Sequence, residues 1–346
     1  MQAALARKFT LTALLALVIV LIQGASLAQY KVTNLVANRA GQSVQPPDPH
    51  LVNAWGLTYG PGSPFWVSDN VSGFSTLYTG NGSKIPLDVA IPTASGKGTG
   101  SPTGIVFNGS NDFKVSEGSA SGPAFFIFAT LDGTLSGWNP SVDLTHAIKA
   151  ADQSEHGVVY TGLAIASDLN WLYGADAANN KVDVYDGRFN LIFTFNDPTI
   201  PEGFTPYGIQ IIGKTLYVTF ASPAGAPGGF VDSFDEFGGS MKRLISNGVL
   251  NQPWGIAISP GNFGKLSNSL LISNNLPNGT INAFTLEGQF RGKLRDKTNK
   301  PITINQLWGL RFGGGAPADG QTNQLFFTAG PNNYENGLFG VIEAVQ

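Results

Sequence analysis

A three-residue pattern built around glycine recurs six times along this chain and constrains its fold more than any other feature. A bulky or hydroxyl-bearing residue precedes each glycine, and an aliphatic residue follows it. The six copies are Trp55-Gly56-Leu57, Thr103-Gly104-Ile105, Thr161-Gly162-Leu163, Tyr207-Gly208-Ile209, Trp254-Gly255-Ile256 and Trp308-Gly309-Leu310. Their glycines lie 48, 58, 46, 47 and 54 residues apart. A unit that recurs about every 40–50 residues is typical of the blades of a β-propeller.

Each copy is followed by the segments expected of a four-stranded blade. A short inner strand such as Leu57-Thr58-Tyr59 is followed by an apolar second strand such as Phe65-Trp66-Val67. A third strand such as Lys181-Val182-Asp183-Val184-Tyr185 then leads through a turn such as Asp186-Gly187 to a fourth strand. Because blades crowd together near the axis of a propeller, a glycine at the start of the inner strand lets neighbouring backbones approach closely.

The two ends of the chain predict how the ring closes. The sixth copy reaches only a third strand, Leu338 to Ile342, whereas one spare strand, Tyr30 to Val36, precedes the first copy. Docking the spare strand beside that third strand would complete the last blade and cover its edge. The sequence therefore predicts one all-β domain over residues 29–346, a six-bladed β-propeller. Its blades are four-stranded and antiparallel, and the last blade is closed by the N-terminal strand.

Two insertions are longer than the turns elsewhere in the chain. They run from Asn108 to Gly122 and from Asn139 to Gly157. We expect both to be surface loops, the second with one helical turn near Asp143 to Ile148, because repeat-specific insertions usually lie on the surface.

Residues 1–28 have the composition of a secretory signal peptide. Arg7 and Lys8 precede an apolar run from Leu11 to Ile22, and Ser26-Leu27-Ala28 supplies small residues at a cleavage site. The apolar run is short for a bilayer-spanning helix, so we expect cleavage, with an uncleaved anchor as the alternative. The mature protein is then expected to be secreted or periplasmic, with no membrane attachment.

Charge and cysteine content exclude several classes of function. Without residues 1–28, which contain two of the 20 basic residues, 18 basic residues face 23 acidic ones, a net charge of −5. Nucleic acid is not an expected partner, because phosphate binding requires clustered Lys and Arg and the chain has no uninterrupted basic block. The chain has no cysteine, which excludes a disulfide framework and thiolate metal sites.

The repeats resemble a known superfamily. The pattern Pro-x-Gly-Ile-x-Ile, an apolar strand ending in Asp, and a Val-x-Val-Tyr-Asp-Gly strand and turn are similar to NHL-type repeats, and six such blades resemble the TolB-like six-bladed propellers. Asn53-Ala54-Trp55-Gly56-Leu57, Phe128 to Trp138, Leu250 to Gly255, Leu307 to Leu310 and Gly337 to Gly340 resemble the landmarks of one family within it. That family is an uncharacterised, mostly bacterial group of exported propellers, some of which carry a PEP-type C-terminal sorting tail. The resemblance implies no catalytic residues, and the absence of such a tail before Gln346 favours a soluble product.

No catalytic motif is recognisable in the sequence. The three histidines, His50, His146 and His156, lie in an entry segment and an insertion, and neither Gly-x-Ser-x-Gly nor His-Glu-x-x-His occurs. Asp69, Asp176 and Asn274 each end a second strand, where an Asx side chain usually bonds the backbone of the following loop. Metal ligation is the alternative for these three residues.

A ring of polar residues is expected at one mouth of the central channel. These residues precede the repeat glycine by three positions and are Asn53, Ser101, Thr205, Gln252 and Gln306, with Val159 in blade three. Calcium in proteins takes six to eight oxygen ligands, usually including several carboxylates. Because this ring is uncharged, we expect no metal or other cofactor, with calcium as the alternative.

The residue just before each glycine forms a second, uneven ring. Trp55, Tyr207, Trp254 and Trp308 supply aromatic rings, and Thr103 and Thr161 supply hydroxyls. These aromatic residues either wedge between blades or form a one-sided platform for a sugar or another flat ligand.

Arg311, two residues after Gly309, stands where the other blades have Ala, Thr, Val or Gln. Burial at this position would require an acceptor for its guanidinium or access to channel water. Arg311 is therefore either a satisfied structural arginine or part of an anion site.

These features favour an exported binding or interaction module, expected to be monomeric, whose ligand is an unknown small molecule, glycan or protein. The predicted ligand site is the channel mouth and contains Asn53, Trp55, Thr103, Thr161, Tyr207, Gln252, Trp254, Gln306, Trp308 and Arg311. Two alternatives are a calcium-dependent lactonase- or esterase-like hydrolase acting at the channel and a structural component of an extracellular matrix. Fold analogy alone does not distinguish them.

Overall fold

Six four-stranded antiparallel sheets follow one another in the computed structural model, which describes residues 29–166, 168 and 171–345. The inner strand of each sheet contacts the inner strand of the next, and the last contacts the first. The sheets are therefore the blades of a closed six-bladed β-propeller, and the predicted fold class is confirmed. The predicted signal peptide, residues 1–28, lies outside the described residues. Within the described part of the chain, no helix is long and apolar enough to cross a membrane.

The strands follow the repeat pattern, with the glycine motif in the inner strand of every blade. β1 spans Gln29–Ala37. Blade one contains β2 (Ala54–Thr58), β3 (Phe65–Asp69), β4 (Phe74–Tyr78) and β5 (Lys84–Ala90). Blade two contains β6 (Pro102–Phe107), β9 (Phe126–Thr130), β10 (Thr134–Trp138) and β11 (Ile148–Asp152), and a separate hairpin is formed by β7 (Lys114–Glu117) and β8 (Ala120–Pro123). Blade three contains β12 (Tyr160–Ile165), β13 (Leu172–Asp176), β14 (Lys181–Tyr185) and β15 (Leu191–Phe195). Blade four contains β16 (Thr205–Ile212), β17 (Thr215–Ala221), β18 (Phe230–Phe234) and β19 (Lys242–Ser246). Blade five contains β20 (Pro253–Ile258), β21 (Leu270–Asn274), β22 (Ile281–Phe284) and β23 (Phe290–Lys293), and blade six contains β24 (Leu307–Phe312), β25 (Gln324–Ala329), β26 (Leu338–Val345) and β1.

The N-terminal strand closes the last blade. β1 pairs antiparallel with β26 from Gln29 opposite Val345 to Ala37 opposite Leu338, with one register shift between Asn34 and Val36. Blade six is thus built from both ends of the described chain, as the spare strand predicts. This pairing covers the edge of β26 that would otherwise present unpaired backbone groups.

The repeat glycines are required because neighbouring blades leave no room for a side chain, and not because the backbone has a conformation that only glycine adopts. None of the six has a positive φ. A Cβ atom placed on Gly56, Gly208 or Gly255 would come within 3.0 Å of a backbone carbonyl oxygen of the next blade. On Gly162 the nearest neighbours of that atom would lie 3.1–3.2 Å away, which is tight but less severe. The close approach of neighbouring inner strands therefore explains why this position repeats as glycine.

Both insertions lie largely at the surface, as expected, but neither is only a loop. The first forms the β7–β8 hairpin, and Phe113 just before it is fully buried. The second contains β11, the fourth strand of blade two, and its 3-10 turn is Ser154–His156, after β11 and not before it. β11 bonds to β10 along one edge and is only half-buried, so its sequence lacks a strong apolar alternation.

Candidate functional site

Four aromatic side chains converge on the axis at the end of the ring where the inner strands begin. We call this cluster the aromatic plug; it contains Trp55, Tyr207, Trp254 and Trp308. Trp55 stacks on Trp308 with 3.7 Å between ring centroids and 24° between planes. Trp254 meets the edges of both rings at 6.1 and 5.7 Å. The three indoles are only 1–9% exposed, so their faces contact one another across the axis.

Hydrogen bonds hold the plug in place. Trp254, in blade five, donates from Nε1 to the carbonyl oxygen of Thr161, in blade three, at 2.9 Å. Trp308 donates from Nε1 to Asn53 Oδ1, also at 2.9 Å. Trp55 Nε1 is buried and has no hydrogen-bond partner among the described residues. Two of the three indoles are therefore fixed in orientation as well as packed.

The two threonines that replace aromatic residues in this ring join neighbouring blades. Thr103 donates from Oγ1 to the carbonyl oxygen of Tyr160, in the next blade, at 2.8 Å. Thr161 Oγ1 lies 3.4 Å from the carbonyl oxygen of Pro206, again in the next blade. Both hydroxyls are buried, so they would have to exchange backbone partners to orient a ligand.

The three amide side chains of the predicted polar ring lie at the same end, and two of them bond to the surrounding loops. Asn53, Gln252 and Gln306 all have positive φ values, 50°, 51° and 44°. The Asn53 amide donates to Asn70 Oδ1 at 3.1 Å and accepts from Trp308. Gln252 Nε2 donates to the Ser222 carbonyl at 3.1 Å. Gln306 is 3% exposed, and its Oε1 has no hydrogen-bond partner among the described residues. Asn53 and Gln252 therefore hold the turns that lead into their inner strands, whereas the Gln306 side chain is buried without such a bond.

Polar residues at the ends of the second strands divide into two groups. Asp176 accepts hydrogen bonds from the backbone of Val159 and Asn179, and the Asn274 amide bonds Asn251 and Val249, as expected for Asx residues that fix loops. Asp69 is fully buried, and burial raises its pKa well above the usual value although a hydrogen bond from Thr76 lowers it. Within residues 29–166, 168 and 171–345, no three His, Asp or Glu side chains are grouped as a metal would need.

Beyond the plug, the channel narrows and then opens again. Aliphatic side chains of the inner strands surround a void of only about 30 Å³, roughly the volume of one water molecule. At the far end, where the inner strands finish, a cavity of about 270 Å³ opens on the axis. We call it the axial pocket. Its described lining includes Thr58, Tyr59, Ile105, Phe107, Ile165, Gln210, Ile211 and Arg311.

Arg311 is the one charged side chain in the described lining of the axial pocket. It is half-buried, and its guanidinium carbon lies 4.9 Å from the centre of the Tyr59 ring. The Tyr59 hydroxyl donates to the carbonyl oxygen of Phe312 at 3.0 Å, which fixes the ring beneath the guanidinium. None of the ion pairs or hydrogen bonds among the described residues involves the Arg311 side chain. The guanidinium therefore has a cation–π neighbour but no anionic partner.

The structure thus separates the predicted site residues into two groups at opposite ends of the channel. Nine of them lie at or beside the aromatic plug, whereas Arg311 lies in the axial pocket with Thr58, Tyr59 and Gln210, which were not among the predicted site residues. The repeat register could have identified two of these three residues. Thr58 and Gln210 follow their repeat glycines by two positions, as Arg311 does, so one strand register places all three at the same level.

Solved structures of known proteins share this fold, and the relatives identified by sequence are uncharacterised proteins. No family model matches the chain. It is 31% identical over 331 residues to uncharacterized protein R648 of Acanthamoeba polyphaga mimivirus, covering 90% of this chain and 80% of that protein. It is 32% identical over 332 residues to uncharacterized protein L690 of the same virus, covering 91% and 86%.

Solved structures with the same fold include two kinds of enzyme. Virginiamycin B lyase from Staphylococcus aureus matches with a TM-score of 0.55 and 14% identity, over 92% of this chain and all of that one. A gluconolactonase from Xanthomonas campestris matches with a TM-score of 0.56 and 12% identity, over 86% and 87% of the two chains. At these identities the likeness establishes a six-bladed propeller and says nothing about substrate.

Proposed function

The chain belongs to the same family as the two uncharacterised mimivirus proteins, and we propose that it is a binding module that takes a small anionic ligand in the axial pocket. The observation that carries this proposal is the Arg311 guanidinium, which lies half-buried over Tyr59 without an acidic partner. Removing a guanidinium from water costs free energy, unless an anion or another hydrogen-bond acceptor replaces the lost water contacts. A carboxylate or phosphate would supply that compensation through two parallel hydrogen bonds.

The remainder of the pocket suits the apolar part of such a ligand. Ile105, Ile165 and Ile211 contribute aliphatic surface, while Thr58 and Gln210 add polar groups at the level of Arg311. A volume of about 270 Å³ is near the lower end of small-molecule sites, which usually measure about 300–1,000 Å³. Because the aromatic plug fills the other end of the channel, a ligand would enter and leave by the Arg311 end.

The chemistry of the pocket supports binding more than catalysis. None of the described lining residues is Asp, Glu or His, the usual general acids and bases. A calcium-dependent lactonase- or esterase-like hydrolase is the alternative, and the gluconolactonase of similar fold supports its hydrolase part. That alternative predicts a response to calcium that is independent of Arg311.

We also infer that the mature protein acts outside the cell as a monomer. The basic residues, apolar run and small residues within 1–28 support export, and the paired edge of blade six supports a monomer. The motifs that resemble the exported bacterial propeller family, such as Asn53 to Leu57, support membership of that family. The relationship to the mimivirus proteins does not by itself specify that family. N-terminal sequencing of the secreted protein and its mass in solution would test these points.

The test of the proposed function compares four proteins in thermal-shift measurements: wild type, Arg311→Met, Arg311→Lys and Arg188→Met. Arg188 is exposed on a turn of blade three, so its variant controls for the loss of one positive charge. The probes are benzoate, citrate, inorganic phosphate and glucose 6-phosphate, each at millimolar concentration. We expect at least one anion to raise the Tm of wild type and Arg188→Met but not that of Arg311→Met, with Arg311→Lys intermediate.

Without a ligand, the two interpretations of Arg311 predict opposite results. If Arg311 is an anion-binding group, the Tm of ligand-free Arg311→Met should match or exceed that of the wild type. The reason is that a functional side chain without its ligand often lowers the free energy of unfolding. A clearly lower Tm for Arg311→Met, together with equal anion responses in all four proteins, would overturn the proposal. A rise in Tm with calcium in all four proteins would instead support the hydrolase alternative.

A further inference from the structure

A second cavity lies beside blade six, on the same side of the ring as the aromatic plug. It measures about 680 Å³, and six polar side chains contribute to its lining: Asn34, Arg39, Gln42, Asn305, Asn332 and Asn336. They come from three separate segments, namely β1 with the loop after it, the turn before β24, and the loop between β25 and β26. We call this cavity the amide pocket. No Asp or Glu is among its described lining residues.

Three of the six polar side chains in the amide pocket carry groups that the protein itself does not use. The other three, Asn34, Asn305 and Asn332, donate to the carbonyl oxygens of Gln42 and Pro277 and to the carboxylate of Glu335. The side chains of Arg39 and Gln42 are exposed and take part in none of the hydrogen bonds or ion pairs among the described residues. Asn336 is 5% exposed, and its Oδ1 has no partner in the described part of the chain. Carboxamides donate and accept hydrogen bonds from one group, which matches the paired donor and acceptor character of sugar hydroxyls.

The loop between β25 and β26 is held in a defined conformation. Asn332, Asn333 and Tyr334 have φ values of 59°, 52° and 70°, a left-handed run that non-glycine residues rarely adopt. The Tyr334 hydroxyl donates to Asn275 Oδ1 at 2.7 Å, and its ring lies 5.8 Å from that of Trp308. Backbone strain of this kind persists where surrounding contacts impose it, and it is concentrated at binding sites.

From this combination we infer that the amide pocket binds an acidic oligosaccharide. The amides contact sugar hydroxyls, and Arg39 pairs with the carboxylate of a uronic acid unit. The volume is sufficient for two or three sugar units, within the usual range of about 300–1,000 Å³ for ligand sites. This site is independent of the axial pocket, because Arg39 and Arg311 lie at opposite ends of the ring.

The test uses a glycan array that carries uronic-acid oligosaccharides and their neutral counterparts, followed by titration calorimetry with the strongest ligand. The variants are Gln42→Trp, which fills the pocket, and Arg39→Ala, which removes its charge. Gln321→Ala, an exposed amide that does not line the amide pocket, and Arg311→Met are the controls. If Gln42→Trp does not fold by circular dichroism, the double variant Arg39→Ala/Gln42→Ala replaces it.

We expect the wild type and both controls to bind uronic-acid oligosaccharides, and Gln42→Trp to lose this binding. Arg39→Ala should raise the Kd about tenfold or more and remove the preference for acidic over neutral sugars. A silent array, or binding that Gln42→Trp retains, would overturn the inference. Binding lost in Arg311→Met but kept in Gln42→Trp would place the sugar in the axial pocket and would equally overturn it.

Discussion

Trp254 and Thr161 are joined across the axis of the ring, from blade five to blade three, by a hydrogen bond of 2.9 Å from the indole Nε1 to the backbone carbonyl. Together with the stacking of Trp55 on Trp308, this contact makes the aromatic plug a small core of its own. Inner strands of propeller blades usually interact only with their neighbours. A side chain that reaches two blades away ties the ring together and closes one end of the channel.

The plug predicts a large cost for truncating Trp254. Trp254→Ala removes a side chain that is 9% exposed, and such changes cost about 3–5 kcal/mol of unfolding free energy. Trp254→Phe keeps most of the packing but leaves the Thr161 carbonyl without its donor, so about 1–3 kcal/mol is expected. Urea unfolding followed by circular dichroism measures both. Trp171→Ala, at a half-buried site outside the plug, is the control, and equal losses for Trp171→Ala and Trp254→Ala would contradict the prediction.

Two glycine-to-alanine substitutions at equivalent repeat positions are predicted to lower the Tm by different amounts. In Gly208→Ala the new methyl group would overlap the carbonyl oxygen of Trp254, a backbone atom that cannot move aside cheaply. In Gly162→Ala the nearest atoms lie 3.1–3.2 Å away, so a shift of a few tenths of an ångström suffices. We expect Gly208→Ala to lower the Tm clearly more than Gly162→Ala, since overpacking typically costs about 1–3 kcal/mol. Differential scanning calorimetry of the two variants checks this order, and a reversed order would refute it.

Ring closure predicts that removing residues 29–37 exposes a reactive edge. β26 would then present its unpaired backbone groups to solvent, and such edges promote association. We expect a lower Tm and oligomers or aggregates in size-exclusion chromatography. A synthetic peptide of residues 29–37 should restore the monomer by adding the missing strand. A truncated protein that stays monomeric with an unchanged Tm would show that β1 is dispensable for closure.

A buried carboxyl in blade four predicts a pH-dependent stability. Burial raises the pKa of Asp232 from 3.8 to about 7, although Arg243, which also pairs with Asp197, lowers it. Between these pKa values the folded protein holds a proton that the unfolded chain has released. The free energy of unfolding should therefore fall as the pH rises from about 4 to 7, by at most about 1.4 kcal/mol per pH unit.

Asp232→Asn tests this pH dependence because the amide cannot titrate. Urea midpoints measured from pH 4 to pH 8 should fall less steeply in the variant than in the wild type. Asp152→Asn is the matched control, since hydrogen bonds from Lys149 and Ser154 lower the pKa of that exposed carboxyl to about 2, outside this range. Identical pH profiles for wild type and Asp232→Asn would show that Asp232 does not titrate in this range.

The composition of each candidate site depends on which end of the channel each side chain reaches. The position relative to the repeat glycine identified both the residues before the glycines and Arg311. It did not show that they lie at opposite ends of the channel. Trp308 and Arg311 are three residues apart in β24, and an inner strand that runs along the axis places them at opposite mouths. The amide pocket was not predicted, because Asn34, Asn305 and Asn336 come from segments that share no repeat position.

The sequence alone determined the number of blades, the position of the inner strands and the closure by an N-terminal strand, Tyr30 to Val36. These features depend on local requirements that recur at regular spacing, namely a glycine wherever blades crowd and a partner for each strand edge. Only the tertiary structure decided that Trp254 reaches Thr161, that the plug closes one mouth and that Arg311 faces an open pocket at the other. The physical reason is that contacts across the axis join side chains from different blades, and their directions and packing leave no periodic signal in the chain.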